Sequence, residues 1–450
     1  MKIFFRSPTR IIIAGFALLI LAGTLLLMLP QASFDKSLNF VNAFFTSTSA
    51  VCVTGLVVVD TGSFFTFFGQ MVLMVLIQIG GIGIMTLSTL FLLIFRGRSS
   101  FANHDAMQDT FTPTKDKSPY LILKDVLLFT LIFEGIGTII LFFCFSPGNS
   151  VSKALSLAVF HSISAFCNAG FSLFSNSFVD FQHNWIINLV MCILIIAGGL
   201  GFIVISDLRQ LKLFQRHAWS RLSLNSKLVL FSTVFLLIAG TIIFFFMEQH
   251  NTLAHLSIKD GILASFFQMV NTRTSGFNNL PIGNMANETL FIMVIFMFIG
   301  ASPGSCGGGV KTTTFMTLLI LGLSRFKGQN RPQIFNRSIS EKSIGKAVSV
   351  LLISTAVICI GVIILLMTEI GDVPHFQSRG KFIEYFFEVV SAFGTVGLSM
   401  GVTAKISIIG KLILSCIMFI GRLGPLVIVI AVSRSTTLNY YNAEEDIMIG

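Results

Sequence analysis

Long apolar stretches alternate with short polar segments along this chain. A helix that crosses about 30 Å of hydrocarbon needs about 20 mostly apolar residues. Stretches of about that length or longer lie at 10–30, 70–95, 121–145, 185–206, 227–247, 288–322, 346–368 and 408–432. This pattern predicts an all-α integral membrane protein with eight transmembrane helices.

Four short segments between these stretches resemble one another. Each has a Phe ten residues before a Gly, at 45–55, 160–170, 266–276 and 387–397. In three of them Ser-Ala stands six and five residues before the Gly, at 49–50, 164–165 and 391–392. The glycines are 115, 106 and 121 residues apart. A fourfold repeat of a short membrane-entering segment predicts four helix–pore segment–helix quarters around a central pore.

A second motif repeats in phase with the first. The sequences GGIG, GGLG, GASP and GRLG begin 25, 28, 24 and 24 residues after the four repeated glycines. Membrane helices are rich in glycine and this chain has 38, so a single segment of this kind would most simply be a packing site. Two motifs that keep their spacing in all four quarters favour the pore interpretation.

These repeats predict the boundaries of the quarters. The quarters span 1–95, 118–208, 225–325 and 343–433, and a cytoplasmic tail follows at 434–450. Within them, the predicted re-entrant pore segments are 44–58, 158–174, 264–279 and 384–400.

Composition and charge agree with a membrane location. The chain is 54% hydrophobic and 11% charged, whereas soluble domains carry about 25% charged residues. The net charge of +10 does not indicate nucleic acid, because 20 of the 30 Lys and Arg residues lie on one predicted side of the membrane. That side comprises 1–10, 96–124, 207–227, 324–346 and 433–450. The positive-inside rule therefore predicts that both termini are cytoplasmic.

The end of each pore segment has the composition of an ion-coordinating turn. Backbone carbonyls can replace the hydration shell of a monovalent cation, and glycine permits the dihedral angles that such a turn requires. The side chains differ among the quarters, as expected if main-chain oxygens coordinate the ion. The predicted filter residues are Val53, Thr54, Gly55, Leu56, Asn168, Ala169, Gly170, Phe171, Thr274, Ser275, Gly276, Phe277, Thr395, Val396, Gly397 and Leu398.

The second helix of the third quarter is interrupted by proline and glycine, which do not sustain a helix. We interpret 301–314 as an intramembrane gate loop, and a kinked packing helix is the alternative. A phosphate-binding loop is excluded because Val310 separates Gly309 from Lys311, where the motif requires Gly-Lys. The predicted gate residues are Ser302, Pro303, Gly304, Ser305, Cys306, Gly307, Gly308, Gly309, Lys311 and Arg422.

Six motifs together resemble the Trk/Ktr/HKT superfamily of potassium transporters, and within it the KtrB-type membrane subunits. They are VTGL at 53–56, CNAGFS at 167–172, RTSGFN at 273–278, ASPGSCGGGVKTTT at 301–314, GTVGLS at 394–399 and FIGRLGP at 419–425. The resemblance covers nearly the whole chain. It implies potassium selectivity through Gly55, an intramembrane gate, and Arg422 as an electrostatic barrier below the filter. A structural ion pair is the alternative role for Arg422.

The resemblance also implies the assembly and the cell compartment. KtrB-type subunits form homodimers in the bacterial cell membrane and sit on a cytosolic ring of KtrA-type regulatory subunits. Nucleotide would then bind to the ring, so this chain is expected to need no cofactor besides the transported K⁺, with Na⁺ as a possible stimulator. Other expected contacts are with the lipid bilayer, and none is expected with nucleic acid.

Two other functions are alternatives to gated potassium uptake. One is a symporter that couples potassium to sodium or protons, in which Glu134, a lone acid within a predicted span, would be a relay. The alternative role for Glu134 is structural pairing. The other is a membrane enzyme, which the absence of clustered His, Asp and Glu residues at membrane depth argues against.

Overall fold

The computed structural model describes residues 8–34, 37–95, 119–210, 218–329, 331–425 and 427. These residues are mostly helical, with one two-stranded hairpin, so the predicted all-α class is confirmed. The predicted tail at 434–450 lies outside the described residues, as does most of the predicted cytoplasmic segment 96–124.

The first helix of each quarter is long and has an apolar surface that the rest of the described chain leaves exposed. Many of its large apolar side chains are exposed, such as those of Leu131, Phe246 and Met367. Within the described chain, these helices contain the four continuous stretches that are long and apolar enough to cross a membrane. The four first helices are Pro8–Leu27, Pro119–Phe145, Leu224–Glu248 and Glu341–Glu369.

A shorter pore helix follows in each quarter, and it begins three to seven residues before the predicted pore segment. The reason is capping: the side chains of Asn39, Ser150 and Ser257 each accept a hydrogen bond from a backbone N–H in the first turn, which stabilises a helix start. The pore helices are Phe40–Val51, Val151–Phe166, Ile258–Asn271 and Lys381–Gly394.

The second helices are less regular than the sequence predicts. The sequence predicts an interruption in the third quarter only, yet Gly201 and Gly424 also end helices, with φ of 86° and 88°. The segments on either side of Gly201 meet at 96°, because a glycine in that conformation cannot continue a helix. The second helices are Phe67–Phe95, Trp185–Leu200 with Phe202–Gln210, Asn287–Phe298 with Thr312–Phe326, and Ile408–Leu423.

The four quarters form a closed ring through one contact that is repeated between neighbouring quarters. The second helix of each quarter packs against the pore helix of the next quarter, and the second helix of the fourth packs against the pore helix of the first. The pore helices are therefore enclosed by the other helices and form the centre of the molecule. Their side chains are accordingly buried, including those of Phe45, Phe267, Phe387 and Phe393.

Short elements connect these helices. Strands Gln333–Ile334 and Arg337–Ser338 form an antiparallel hairpin between the third and fourth quarters. Its two turn residues, Phe335 and Asn336, have φ of 51° and 59°, as a tight hairpin turn requires. The other short helices are Pro30–Ala32, Thr61–Phe64, Val179–Phe181, Ala218–Arg221, Ile282–Asn284 and Thr403–Lys405.

Candidate ion-conducting site

Each pore helix ends in a turn through a left-handed residue two positions before the repeated glycine. In the first quarter, the Val53 N–H donates to the Ala50 carbonyl at 3.1 Å and the Thr54 N–H to the Ser49 carbonyl at 2.8 Å. This pair of bonds is a Schellman-type helix end, and it recurs in the second and fourth quarters. The left-handed residues are Val53, Asn168, Thr274 and Thr395, with φ of 55°, 59°, 71° and 49°.

The repeated serine ties the turn to its own helix. The Gly55 N–H donates to Ser49 Oγ at 3.1 Å, and the Gly397 N–H donates to Ser391 Oγ at 3.0 Å. In the second quarter, the Ser164 hydroxyl instead donates to the Phe171 carbonyl at 2.8 Å. The third quarter lacks this serine, and there Asn271 Oδ1 accepts from the Phe277 N–H at 3.0 Å. The Ser-Ala repeat is visible in the sequence, but the hydrogen bonds that its serine makes can be seen only in the folded turn.

The four turns meet in a closed ring. A methyl group added to Gly55 or to Gly170 would lie 2.5 Å from a carbonyl oxygen of the following quarter. The same collision occurs for Gly276 and for Gly397, which closes the ring back to the first quarter. The structure thus brings together the four predicted filter stretches, and glycine at each position permits the close approach. The carbonyls approached are, in ring order, those of Ala169, Ser275, Val396 and Thr54.

The second repeated motif also marks a close backbone approach. Gly80, Gly198 and Gly421 each lie so near a carbonyl of the pore helix in their own quarter that a side chain would collide with it. In the third quarter the corresponding Gly300 instead packs against Gly308. The regular spacing of the two motifs therefore follows from helix packing in three quarters, and the loop at 301–314 takes the place of the pore-helix carbonyl in the third.

Backbone hydrogen bonds join the two ends of the predicted gate loop, and the loop packs against the ring. The Gly300 N–H donates to the Val310 carbonyl at 2.8 Å, and the Thr312 N–H donates to the Ala301 carbonyl at 3.3 Å. Within the loop, the Gly308 N–H donates to Thr395 Oγ1 at 3.0 Å. The loop therefore contacts the left-handed residue of the fourth quarter directly.

The loop also contacts the second quarter and the left-handed residue of its own quarter. The N–H groups of Ser302 and Cys306 donate to the carbonyls of Gly199 and Gly198, both at 3.2 Å. A side chain at Gly307 would collide with Thr274 Oγ1. The loop is thus a folded segment with specific partners in three quarters, rather than a kink in a packing helix.

Two basic side chains hold the loop. Lys311 Nζ donates to the Gly307 carbonyl at 2.6 Å. The buried Arg422 guanidinium donates to the Cys306 carbonyl and, from the other side, to the Gly80 carbonyl at 2.5 Å and the Gly81 carbonyl at 3.4 Å. These partners are backbone carbonyls, so the described contacts do not support the ion-pair alternative. Arg422 connects the fourth quarter, the gate loop and the first quarter.

Glu134 is buried and paired. Gln78 Nε2 donates to Glu134 Oε2 at 3.0 Å, and Ser162 Oγ donates to the Glu134 carbonyl at 2.8 Å. These bonds join the second helix of the first quarter to the first helix and pore helix of the second. They favour the structural alternative for Glu134 over a relay.

Beyond the ring, Asp60 joins the loops that follow the turns of the first two quarters. Burial alone would raise the pKa of its carboxyl group, but hydrogen bonds from Ser175, Ser63 and Gly62 outweigh burial and lower the pKa. The Gly62 and Ser63 N–H groups both donate to Asp60 Oδ1 at 2.9 Å. A side chain at Gly62 would collide with the Leu173 carbonyl, so the two loops are packed tightly.

Four long apolar helices around a central ring of turns are typical of a multi-pass membrane protein. The family model for TrkH, a cation transport protein, matches residues 1–440, and the chain belongs to this family. This confirms the resemblance seen in the sequence and agrees with the expectation of a transporter rather than an enzyme.

Curated relatives match nearly the full chain. It is 37% identical to the Ktr system potassium uptake protein B of Bacillus subtilis, over 99% of this chain and 97% of that protein. It is 36% identical to the potassium/sodium uptake protein NtpJ of Enterococcus hirae, with the same two shares.

Among solved structures, the fold matches the crystal structure of the potassium transporter TrkH from Vibrio parahaemolyticus. The TM-score is 0.74 at 17% identity, over 95% of this chain and 86% of that one. At this identity the match supports the fold alone.

Proposed function

We propose that this protein takes up potassium across the cell membrane through the ring of four turns. The observation that carries the proposal is the closed contact order of the repeated glycines, from Gly55 through Gly170 and Gly276 to Gly397 and back. Relatives of nearly the same length are named as potassium uptake proteins. The sixteen predicted filter residues supply the backbone carbonyls that would replace the hydration shell of K⁺.

The gate loop would close the pathway below the ring. Its contacts with Thr395 and with the Arg422 guanidinium favour a closed arrangement. A positive side chain beneath a cation filter also adds an electrostatic barrier. Opening would require the loop to leave both partners.

The membrane potential is sufficient to drive uptake. One positive charge moving inward through 100 mV gains about 2.3 kcal/mol. Both termini would lie in the cytoplasm, as the distribution of Lys and Arg residues predicts. A thiol-reactive probe that cannot cross the membrane tests this orientation: it should label Ser37→Cys, but not Gln333→Cys, in intact cells.

The functional unit would be a homodimer on a cytosolic ring of KtrA-type regulatory subunits, with nucleotide bound by the ring. The exposed basic residues Arg325, Arg331 and Arg337 near the hairpin between the third and fourth quarters would face that ring or anionic headgroups. The chain itself would hold no cofactor.

A sodium-coupled symport is the second candidate. The observation that favours it is the relative named a potassium/sodium uptake protein. In this candidate Na⁺ moves with K⁺ in a fixed ratio. In the main proposal Na⁺ at most stimulates potassium flux.

Two measurements test the proposal. Expression with a regulatory subunit should restore growth of a potassium-uptake-deficient bacterium at limiting potassium, and failure to do so with normal membrane insertion would contradict potassium uptake. In proteoliposomes, flux should follow the potassium gradient and membrane potential alone. A fixed sodium-to-potassium ratio, together with uphill potassium movement driven by a sodium gradient, would instead establish symport.

A further inference from the structure

In two quarters, a buried side chain of the pore helix binds the segment that follows the ring. This side chain stands at the same distance in sequence from the repeated glycine in both quarters. His161 lies nine residues before Gly170, and its Nε2 contacts Ser172 Oγ and the Leu173 N–H, both at 3.2 Å. Glu388 lies nine residues before Gly397, and its Oε1 accepts from Ser399 Oγ at 2.5 Å and from the Met400 N–H at 3.2 Å. In both quarters, the bound residues are the second and third after the glycine.

The His161 ring is held in one orientation. Its Nδ1 lies 2.8 Å from the Leu157 carbonyl, which can only accept, so Nδ1 carries the hydrogen and Nε2 is the acceptor. The ring stacks on Phe174 at 4.7 Å and meets the edge of Phe178 at 5.2 Å. It is fully buried, so the Leu173 N–H has a fixed partner.

Glu388 receives three bonds from one outer loop. Besides Ser399 and Met400, the Thr403 hydroxyl donates to its Oε2 at 2.8 Å. The Glu388 side chain is fully buried in the pore helix of the fourth quarter. A carboxylate in this position therefore binds the loop that leaves the ring at three points, residues 399, 400 and 403.

The other two quarters use different means. In the third, the Gln268 side-chain oxygen, oriented by its hydrogen-bond network, accepts from the N–H groups of Asn279 and Leu280 at 3.2 and 3.1 Å. In the first, the corresponding Thr46 bonds to its own helix at Asn42. Further along that loop, Asp60 caps the short helix Thr61–Phe64.

These hydrogen bonds fix the backbone on the C-terminal side of the repeated glycine. In the fourth quarter, the Gly397 N–H is bound by Ser391 and the Met400 N–H by Glu388. The carbonyls between these two anchors therefore have little freedom to move. Discrimination between cations of similar charge depends on the positions of such oxygens.

We propose that His161 and Glu388 are positioning residues that fix the outer end of the filter and thereby determine its preference for potassium over sodium. This inference rests on the proposed function. The residues act through backbone N–H groups and need not touch the ion.

The test compares variants in proteoliposomes, with the potassium-to-sodium flux ratio and the KM for potassium as readouts. Glu388→Ala and His161→Ala should each lower the flux ratio roughly tenfold, because each leaves a half-buried N–H beside the ring without its partner. Glu388→Gln keeps an acceptor oxygen and should restore most of the lost discrimination. Ser399→Ala removes one donor and should shift the ratio in the same direction by a smaller amount.

Glu369→Ala is the matched control. Glu369 also accepts bonds from an N–H and a hydroxyl, both of Ser407, but it lies at the end of a first helix, away from the ring. This variant should lower the melting temperature and leave the flux ratio unchanged. An equal loss of discrimination in Glu369→Ala would mean that general destabilisation, not positioning, is responsible.

The remaining outcomes separate this proposal from the proposed function. If the wild-type protein conducts no potassium, the proposed function fails whatever the variants do. If it does, and folded Glu388→Ala and His161→Ala keep the wild-type ratio, positioning is overturned. If Glu388→Ala does not fold, Ser399→Ala with an unchanged ratio overturns the proposal for the fourth quarter, and His161→Ala decides the second. A Glu388→Gln variant as impaired as Glu388→Ala would point to the charge and overturn positioning by the acceptor oxygen.

Discussion

The Gly308 N–H donates a hydrogen bond to Thr395 Oγ1 across 3.0 Å. Gly308 belongs to the gate loop of the third quarter, and Thr395 is the left-handed residue that begins the turn of the fourth. One bond thus joins the proposed gate to the proposed filter. Movement of the loop would act on a residue two positions before Gly397.

Removing this bond should loosen the loop. Thr395→Val keeps the shape of the side chain and leaves the Gly308 N–H without its acceptor. A lost hydrogen bond of about 1 kcal/mol shifts a closed-to-open ratio roughly fivefold. Potassium flux without a regulatory subunit should rise by about that factor. Thr355→Val, on an exposed face of a first helix, is the control, and equal flux in both variants would contradict the role of the bond.

Replacing Arg422 should act on the loop from the other side. Arg422→Gln loses the charge and most of the bonds to Cys306 and Gly80. Bonds to charged groups contribute about 1.5–3 kcal/mol, so we expect unregulated flux to rise at least about tenfold. Arg337→Gln in the exposed hairpin should leave flux in proteoliposomes unchanged. Reduced flux in a folded Arg422→Gln protein would argue against a closing role.

Substitution of Gly55 should weaken discrimination against sodium. Gly55 has φ of 93°, and its Cα faces the Ala169 carbonyl, so a side chain would push two quarters apart. The left-handed conformation alone costs a non-glycine residue about 1–2 kcal/mol. Gly55→Ser should lower the potassium-to-sodium flux ratio roughly tenfold.

Gly15→Ser serves as its control, because beyond the adjacent residues and backbone of its own helix no described atom lies within 4 Å of the added carbon. An unchanged ion preference in Gly55→Ser, with normal folding, would remove Gly55 from the filter.

Loss of the repeated serine should destabilise the ring. Ser49→Ala leaves the buried Gly55 N–H without its acceptor, at a cost of about 1–3 kcal/mol. The melting temperature of the purified protein should fall, and Ser391→Ala should have the same effect through Gly397. The exposed Ser152→Ala should melt like the wild type. Equal melting of all four proteins would show that these bonds contribute no stability.

The contribution of Asp60 to the stability of the folded protein should depend on pH only at acidic pH. Its pKa is lowered from the ordinary 3.8, so the charged form is favoured in the folded protein. The stability it contributes is fully present above the ordinary value and is lost as the pH falls through the lower folded value. The melting-temperature difference between wild type and Asp60→Asn should be constant above about pH 5 and shrink below about pH 4. A difference that changes between pH 6 and 8 would contradict this assignment.

The sequence by itself determined the features that repeat within each quarter. Apolar stretches long enough to span the bilayer predicted the all-α membrane class, and the phase of two glycine motifs predicted where four turns lie. The motif at 301–314 marked the loop in the third quarter. Such features are readable because they depend on residues fewer than about thirty positions apart, where spacing and local propensity decide the outcome.

Only the tertiary structure decided how the quarters meet. Gly55 faces Ala169, and Arg422 reaches both Cys306 and Gly80, which lie more than a hundred residues away in the chain. The sequence also did not predict the helix breaks at Gly201 and Gly424. Nor did it predict the hydrogen bonds that His161 and Glu388 make to the segments after the ring. The sequence does not distinguish one glycine or acid in an apolar stretch from another. The role of each depends on which backbone groups the folded chain brings within hydrogen-bonding distance.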